Sequence, residues 1–380
     1  MELLMRCLMR GVMRGVTRGV TRGPFGPASL ARIALAAGVA GLALLALGVA
    51  RPCGAQTPRV LWERRVVRAP AVGLSVSGDT LWVVGTDRKL HSLDANDGDR
   101  HWRKTLVAPA VLSPVPAGSL LLVAVSSRVS GVVALERDTG KVRWAKRTTS
   151  QPVALLRADS TVLSLGTDGQ AVAFRLGDGE QRWERDLEAK LAGGVACSRG
   201  AIALGRTDSL WCLDPADGHD VWSLPIDGFS VGDPALAADS SLIRALYAGG
   251  IVEHRLDDGR EVRRRATRGP QERGPAILDG TLGLVATGGE VEILDARTWE
   301  RLWGLETKET AFAGLVGWED LWTFPSVSGR LLAWTRDRGS LVWTLQFRSA
   351  LLFPPAQAGR YYAVVDDRGR VVVYTMEPSG

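Results

Sequence analysis

"LDANDGDRHW", residues 93–102, places acids at Asp94 and Asp97, an amide at Asn96 and a glycine at Gly98 ahead of a tryptophan. The acids suggest a calcium loop, but an EF-hand loop needs one more residue before its glycine and a distal glutamate. The stretch also recurs. It returns as "LERDTGKVRW" (135–144), "RLGDGEQRW" (175–183), "LDPADGHDVW" (213–222), "RLDDGREVR" (255–263), "LDARTWERLW" (294–303) and "TRDRGSLVW" (335–343). The last positions are Trp102, Trp144, Trp183, Trp222, Arg263, Trp303 and Trp343, spaced by 42, 39, 39, 41, 40 and 40 residues. A fixed period in that range means a propeller or a solenoid and must be read before any local motif. The acids and amide therefore read as turn chemistry: they accept backbone N–H bonds, and Gly98, Gly140, Gly179 and Gly218 take the positive-φ corner.

Each unit reads as four short strands. The first runs "AVGLSVSG", "TLWVVGT", "KLHSLDA", "DRHWRKTL" over 71–106, with Gly or Asp in the gaps. Four strands in about 40 residues make a propeller blade. Further units fall at 108–148, 150–187, 190–226, 228–267, 269–307 and 308–347. Residues 348–380 hold three more strands and lack the fourth. "RVLWERRV" (59–66) is a fourth-type strand standing alone, with Trp62 forty residues before Trp102. The N-terminal strand is therefore expected to complete an eighth blade and close the ring, which removes exposed edges. The expectation is an all-β, eight-bladed propeller over 56–380, a single monomeric ring.

Residues 1–55 are foreign to this pattern. An arginine recurs every four residues over 9–23, followed by the uncharged apolar run "IALAAGVAGLALLALGVA" (33–50). A basic region, an apolar region and the small residues Cys53 and Ala55 describe an export signal cut after Ala55. A retained membrane anchor is the rival reading, although 18 residues are borderline for a span. The net charge of +6 lies wholly in this leader, because the leader holds seven Arg and one Glu. Residues 56–380 carry 40 basic and 40 acidic side chains. The ring therefore has no overall attraction to nucleic acid or anionic lipid.

A tryptophan at one place in each outer strand can bury about 150–250 Å² between neighbouring blades, and its indole N–H needs an acceptor there. The spacing D-x-x-(D/T)-G-x-x-x-W, carried by "LDANDGDRHW", "RDTGKVRW", "GDGEQRW" and "DPADGHDVW", resembles the tryptophan-docking motif of the PQQ-type eight-bladed propellers. That group includes quinoprotein dehydrogenases and the non-catalytic BamB-like assembly factors. A leader followed by a bare ring is similar to the BamB-like proteins. The resemblance implies a periplasmic scaffold whose partner is a β-barrel assembly machine in the outer membrane, peripheral to the membrane or anchored by the N-terminal segment. A periplasmic sensor or ligand-binding propeller is the alternative, and a quinone-dependent dehydrogenase a distant third. "VARPC" sets Arg51 and Pro52 before Cys53, where a lipid-attachment motif needs small residues.

No catalytic, metal or cofactor constellation is legible, so neither an enzyme nor a cofactor is expected. The dehydrogenases' adjacent cysteine pair is missing. Cys197 and Cys212 fall on the first and third strands of the fourth unit, about 9–10 Å apart at 4.8 Å per strand, too far for a disulfide. Both are expected to be buried thiols. His91, His101, His219 and His254 have no ligand spacing, and His101 and His219 are expected to be exposed. "GTDGQ" (166–170) and "AGG" (248–250) read as hairpin turns. One deviation remains: the fifth unit puts Arg263 in the tryptophan slot, within a run that includes Arg260, Arg264, Arg265 and Arg268. Against the reading of a solvated outer strand and loop, that run is a candidate docking patch for an acidic partner or an anionic head group. Trp299, in the turn-glycine slot of the sixth unit, is a candidate exposed interface anchor, with a rearranged turn as the simpler reading.

Overall fold

The computed structural model describes residues 58–198, 200–237, 241–310 and 312–376. The leader expectation, with its boundary at 55, lies outside the described residues. Those residues form eight four-stranded antiparallel sheets. Seven are built from four consecutive strands, at 75–105, 115–148, 152–186, 191–225, 230–265, 276–306 and 316–346. The eighth takes three strands from 356–376, and its outer strand is Pro58–Arg65. That strand runs antiparallel to Arg370–Met376, with Trp62 opposite Val373. The ring closes as an eight-bladed propeller.

The second and third strands of each blade are short apolar runs because both faces are covered. "LLLVAV" (120–125) and "TVLSLG" (161–166) are buried at every position. Outer strands are exposed except at the tryptophan: in Arg100–Thr105 only Trp102 is buried. The interblade layers hold the core. One cluster joins Trp144 to Leu120, Leu122, Val162 and Phe174 of the second and third blades.

A detail absent from the sequence pattern recurs in all eight sheets. The pairing of third and outer strands slips by one residue just before the tryptophan, or before Arg263 in the fifth blade, as between Ala173↔Trp183 and Phe174↔Gln181. The extra residue is a β-bulge, which bends the strand and re-aims the following side chain. In every blade it swings position 183 or its equivalent toward the next blade.

The turn glycines have a second role. Gly179 has φ of 72°, and a Cβ there would lie 2.5 Å from the Trp144 ring. Gly98, Gly140 and Gly218 meet Trp62, Trp102 and Trp183 in the same way. Gly179→Ala combines left-handed strain with overpacking and is expected to destabilise by about 2–4 kcal/mol. Urea denaturation checks this, and a loss below about 1 kcal/mol would mean that the ring can move aside.

Candidate interaction surfaces and the fifth–sixth blade interface

Six outer-strand tryptophans donate across an interface to the backbone of the next blade. Trp62 Nε1 reaches Ala95 O at 2.9 Å and Trp102 reaches Arg137 O at 2.6 Å. Trp144 bonds Leu176 O at 2.8 Å and Trp183 bonds Pro215 O at 3.0 Å. Trp222 reaches Leu256 O and Trp303 reaches Arg336 O, both at 2.8 Å. Trp343 has no acceptor among the described residues. The equivalent carbonyl follows the third strand of the eighth blade and falls at residue 377, outside them.

The two sequence deviations face each other. The Arg263 guanidinium lies 4.2 Å from the centroid of the Trp299 ring. Its Nη2 donates to Ala296 O at 3.3 Å, the carbonyl equivalent to those bonded by indoles elsewhere. Arginine and tryptophan have exchanged sides of the interface, and a cation–π contact replaces the indole-on-glycine stack. This corrects the reading of Trp299 as an exposed anchor: it is 6% exposed, at φ 62°. It also corrects the reading of a free basic patch. Arg263 pairs with Glu253 at 2.5 Å, Arg264 with Asp227 at 2.8 Å and Glu261 at 2.6 Å, and Arg265 with Glu292 at 2.7 Å. Arg260 and Arg268 are exposed, and Arg260 stands 3.7 Å from Asp258. A run of arginines interleaved with carboxylates presents little net charge to a partner.

Behind this interface lies a buried polar network that the sequence reading missed. Arg244 is 0% exposed. It donates to His254 Nε2 at 3.0 Å, to Ser230 Oγ at 3.1 Å and to Asp227 O at 2.9 Å. His254 Nδ1 lies 2.9 Å from Gly259 O. An imidazole that accepts at Nε2 and donates at Nδ1 is neutral. Burial holds the His254 pKa below its ordinary value, the Gly259 carbonyl opposes this, and Arg244 adds to it. The one visible signal was an arginine inside the apolar strand "SLIRAL" (241–246). A depressed folded-state pKa contributes stability that is present above the unfolded value, near 6.5, and is lost as pH falls toward the folded value. The urea midpoint is therefore expected to drop between pH 7 and pH 5. His254→Gln keeps an acceptor and a donor without a proton to bind, and should flatten that slope. An unchanged slope would mean that the histidine does not titrate with unfolding.

On the innermost strand of the fifth blade, Ser230–Ala237, the register breaks between Val231 and Ala235. This bulge carries Asp233, whose Oδ1 accepts from Gly194 N at 3.2 Å. The surrounding protein raises the Asp233 pKa by desolvation, against the Gly194 hydrogen bond. Among the described residues no group of three or more His, Cys, Asp or Glu is placed to hold a metal. His101 and His219 are exposed, while His91 and His254 are buried. Cys212 is buried and Cys197 only half-buried, with the strand Gly200–Gly205 between them.

Exposed aromatics gather on one face, where the interblade connections and the second-to-third-strand turns meet. Phe229 (42% exposed) and Tyr247 (50%) stack edge to face at 5.9 Å, joined by Tyr247 N to Phe229 O at 2.8 Å. Arg206 covers Phe229 at 5.4 Å. Phe312 (40%) is covered by Arg273 at 5.3 Å.

A family model described as outer membrane protein assembly factor BamB matches residues 48–190, 167–272 and 287–377. The chain belongs to this family. Among curated relatives, the BamB of Moranella endobia is 23% identical over 294 residues, 73% of this chain and 67% of that protein. Tetrathionate hydrolase of Acidithiobacillus ferrooxidans is 24% identical over 314 residues, 72% of this chain. That match spans only 57% of the hydrolase. Among solved structures, BamB of Moraxella catarrhalis superposes with a TM-score of 0.71 at 16% identity, covering 84% of this chain and all of that one. The computationally designed Ika8 protein gives 0.71 at 14% identity, over 83% and 98%. At such identities the two structures speak for the fold alone.

Proposed function

We propose that this BamB-family propeller is a non-catalytic periplasmic scaffold that docks to the barrel-assembly machinery of the outer membrane. The observation that carries the reading, beside family membership, is the face bearing Phe229, Tyr247 and Phe312. Half-exposed aromatics with arginines laid over them, on a rigid ring, suit a protein interface, where aromatics and arginine dominate binding. The test is affinity capture from detergent-solubilised envelope with the tagged full chain. The assembly barrel is expected to co-purify, and Phe229→Ala with Tyr247→Ala to weaken the complex roughly thirtyfold, for about 2 kcal/mol. Absence of the barrel from the eluate would reject the reading. The hydrolase relative favours one rival, turnover of tetrathionate, which loss of tetrathionate in the presence of purified protein would reveal.

A further inference from the structure

The described ring is close to electroneutral, but its charge is unevenly placed on the outer wall. The outer strands of the eighth, first and second blades read "PRVLWERR" (58–65), "RHWRKT" (100–105) and "VRWAKRT" (142–148). Each carries three Lys or Arg, and Glu63 is the one carboxylate among them. All of these cations except Lys104 are exposed. The three blades are neighbours, since Trp62 packs on Gly98 and Trp102 on Gly140. The outer strands of the third, fourth, sixth and seventh blades, "QRWERD", "DVWSLP", "RLWGLE" and "LVWTLQ", hold as many acids as bases or nearly so. The fifth is basic but neutralised, with Arg263, Arg264 and Arg265 each 2.5–2.8 Å from a carboxylate. On the basic wall Arg64 stands 3.8 Å from Asp99 and donates to Gly98 O at 2.9 Å.

We infer that this wall is a docking surface for an anionic phospholipid bilayer. Charge complementarity is the first argument: a broad row of exposed cations suits a sheet of headgroup phosphates. The chain itself provides the second. The uncharged run 33–50 ends seven residues before Pro58, the first residue of this wall. Seven extended residues reach at most about 25 Å. While the run is attached, any bilayer it engages lies within that reach of Pro58, where the wall begins. Val60 and Val142, 48% and 46% exposed, put apolar side chains among the cations. The inference is independent of any barrel-assembly partner.

The test measures the partition of the full chain between buffer and two vesicle types: phosphatidylcholine alone, and phosphatidylcholine with a third of its lipid replaced by phosphatidylglycerol. Comparing the two cancels whatever binding the apolar run supplies, and comparing variants that share the leader cancels the pull of its seven arginines. The expected result is a clear preference for the anionic vesicles that falls with added salt. Arg103→Glu with Lys104→Glu and Lys146→Glu should reduce that preference at least about tenfold. A charge-matched set on exposed turns, Arg260→Glu with Arg297→Glu and Arg338→Glu, should leave most of it. If the reversed wall prevents folding by circular dichroism, the three glutamine substitutions replace it. Equal binding to both vesicles, or equal loss in both variant sets, overturns the assignment. So does wall-dependent capture of an acidic envelope protein without any lipid preference.

Discussion

Trp144→Ala is expected to lower the stability of the ring by about 3–5 kcal/mol, the range for a large-to-small change in a packed core. The side chain is 6% exposed, packs 6.0 Å from Phe174 and satisfies its N–H on Leu176 O. Removing it empties the space over Gly179 and leaves that carbonyl without its donor. Trp183→Ala should cost less, because its equivalent side chain is half-buried. Urea unfolding of both variants gives the comparison. Equal losses would show that burial does not set the scale, and a loss below about 1 kcal/mol for Trp144 would remove the indole from the interface energetics.

The second large effect is a coupling. Arg263→Trp alone drives an indole into the Trp299 ring and takes from Glu253 its cation. Trp299→Gly alone opens a cavity beneath the guanidinium. Each is expected to destabilise by about 2–4 kcal/mol. Together they rebuild the indole-on-glycine contact found at other interfaces of the ring. The double variant should therefore be more stable than the sum of the singles predicts by about 1–3 kcal/mol. Additive losses would mean that the two positions do not act as one exchanged pair. Because the sites are 36 residues apart in sequence, no local effect could produce the coupling.

The polar network behind that pair separates two kinds of signal. His254 is featureless in the sequence, where it has no ligand spacing to another His or Cys. Its role depends on Arg244 of the adjacent strand, and cross-strand partners are set by register rather than by spacing. The arginine run from 260 to 268 was legible as charge. Its neutralisation was not, since Asp227 and Glu292 come from distant stretches of chain.

What the sequence alone determined was the ring. A turn of acids, an amide and a glycine specifies its own conformation, and its recurrence near every 40 residues sets the blades. The stray strand at Trp62, in register with that period, set the closure against Arg370–Met376. Those features are local, and repetition multiplies a local preference into an architecture. Only the tertiary structure decided which side chains meet between blades. It placed Trp144 on Gly179, laid Arg263 across Trp299, and gathered outer strands from residues 58, 100 and 142 into one basic wall. Contacts of that kind join positions most of a period or more apart, and their energies depend on the bulge and on the angle between sheets. Periodicity shows that such positions are equivalent, but the folded geometry determines what each one touches.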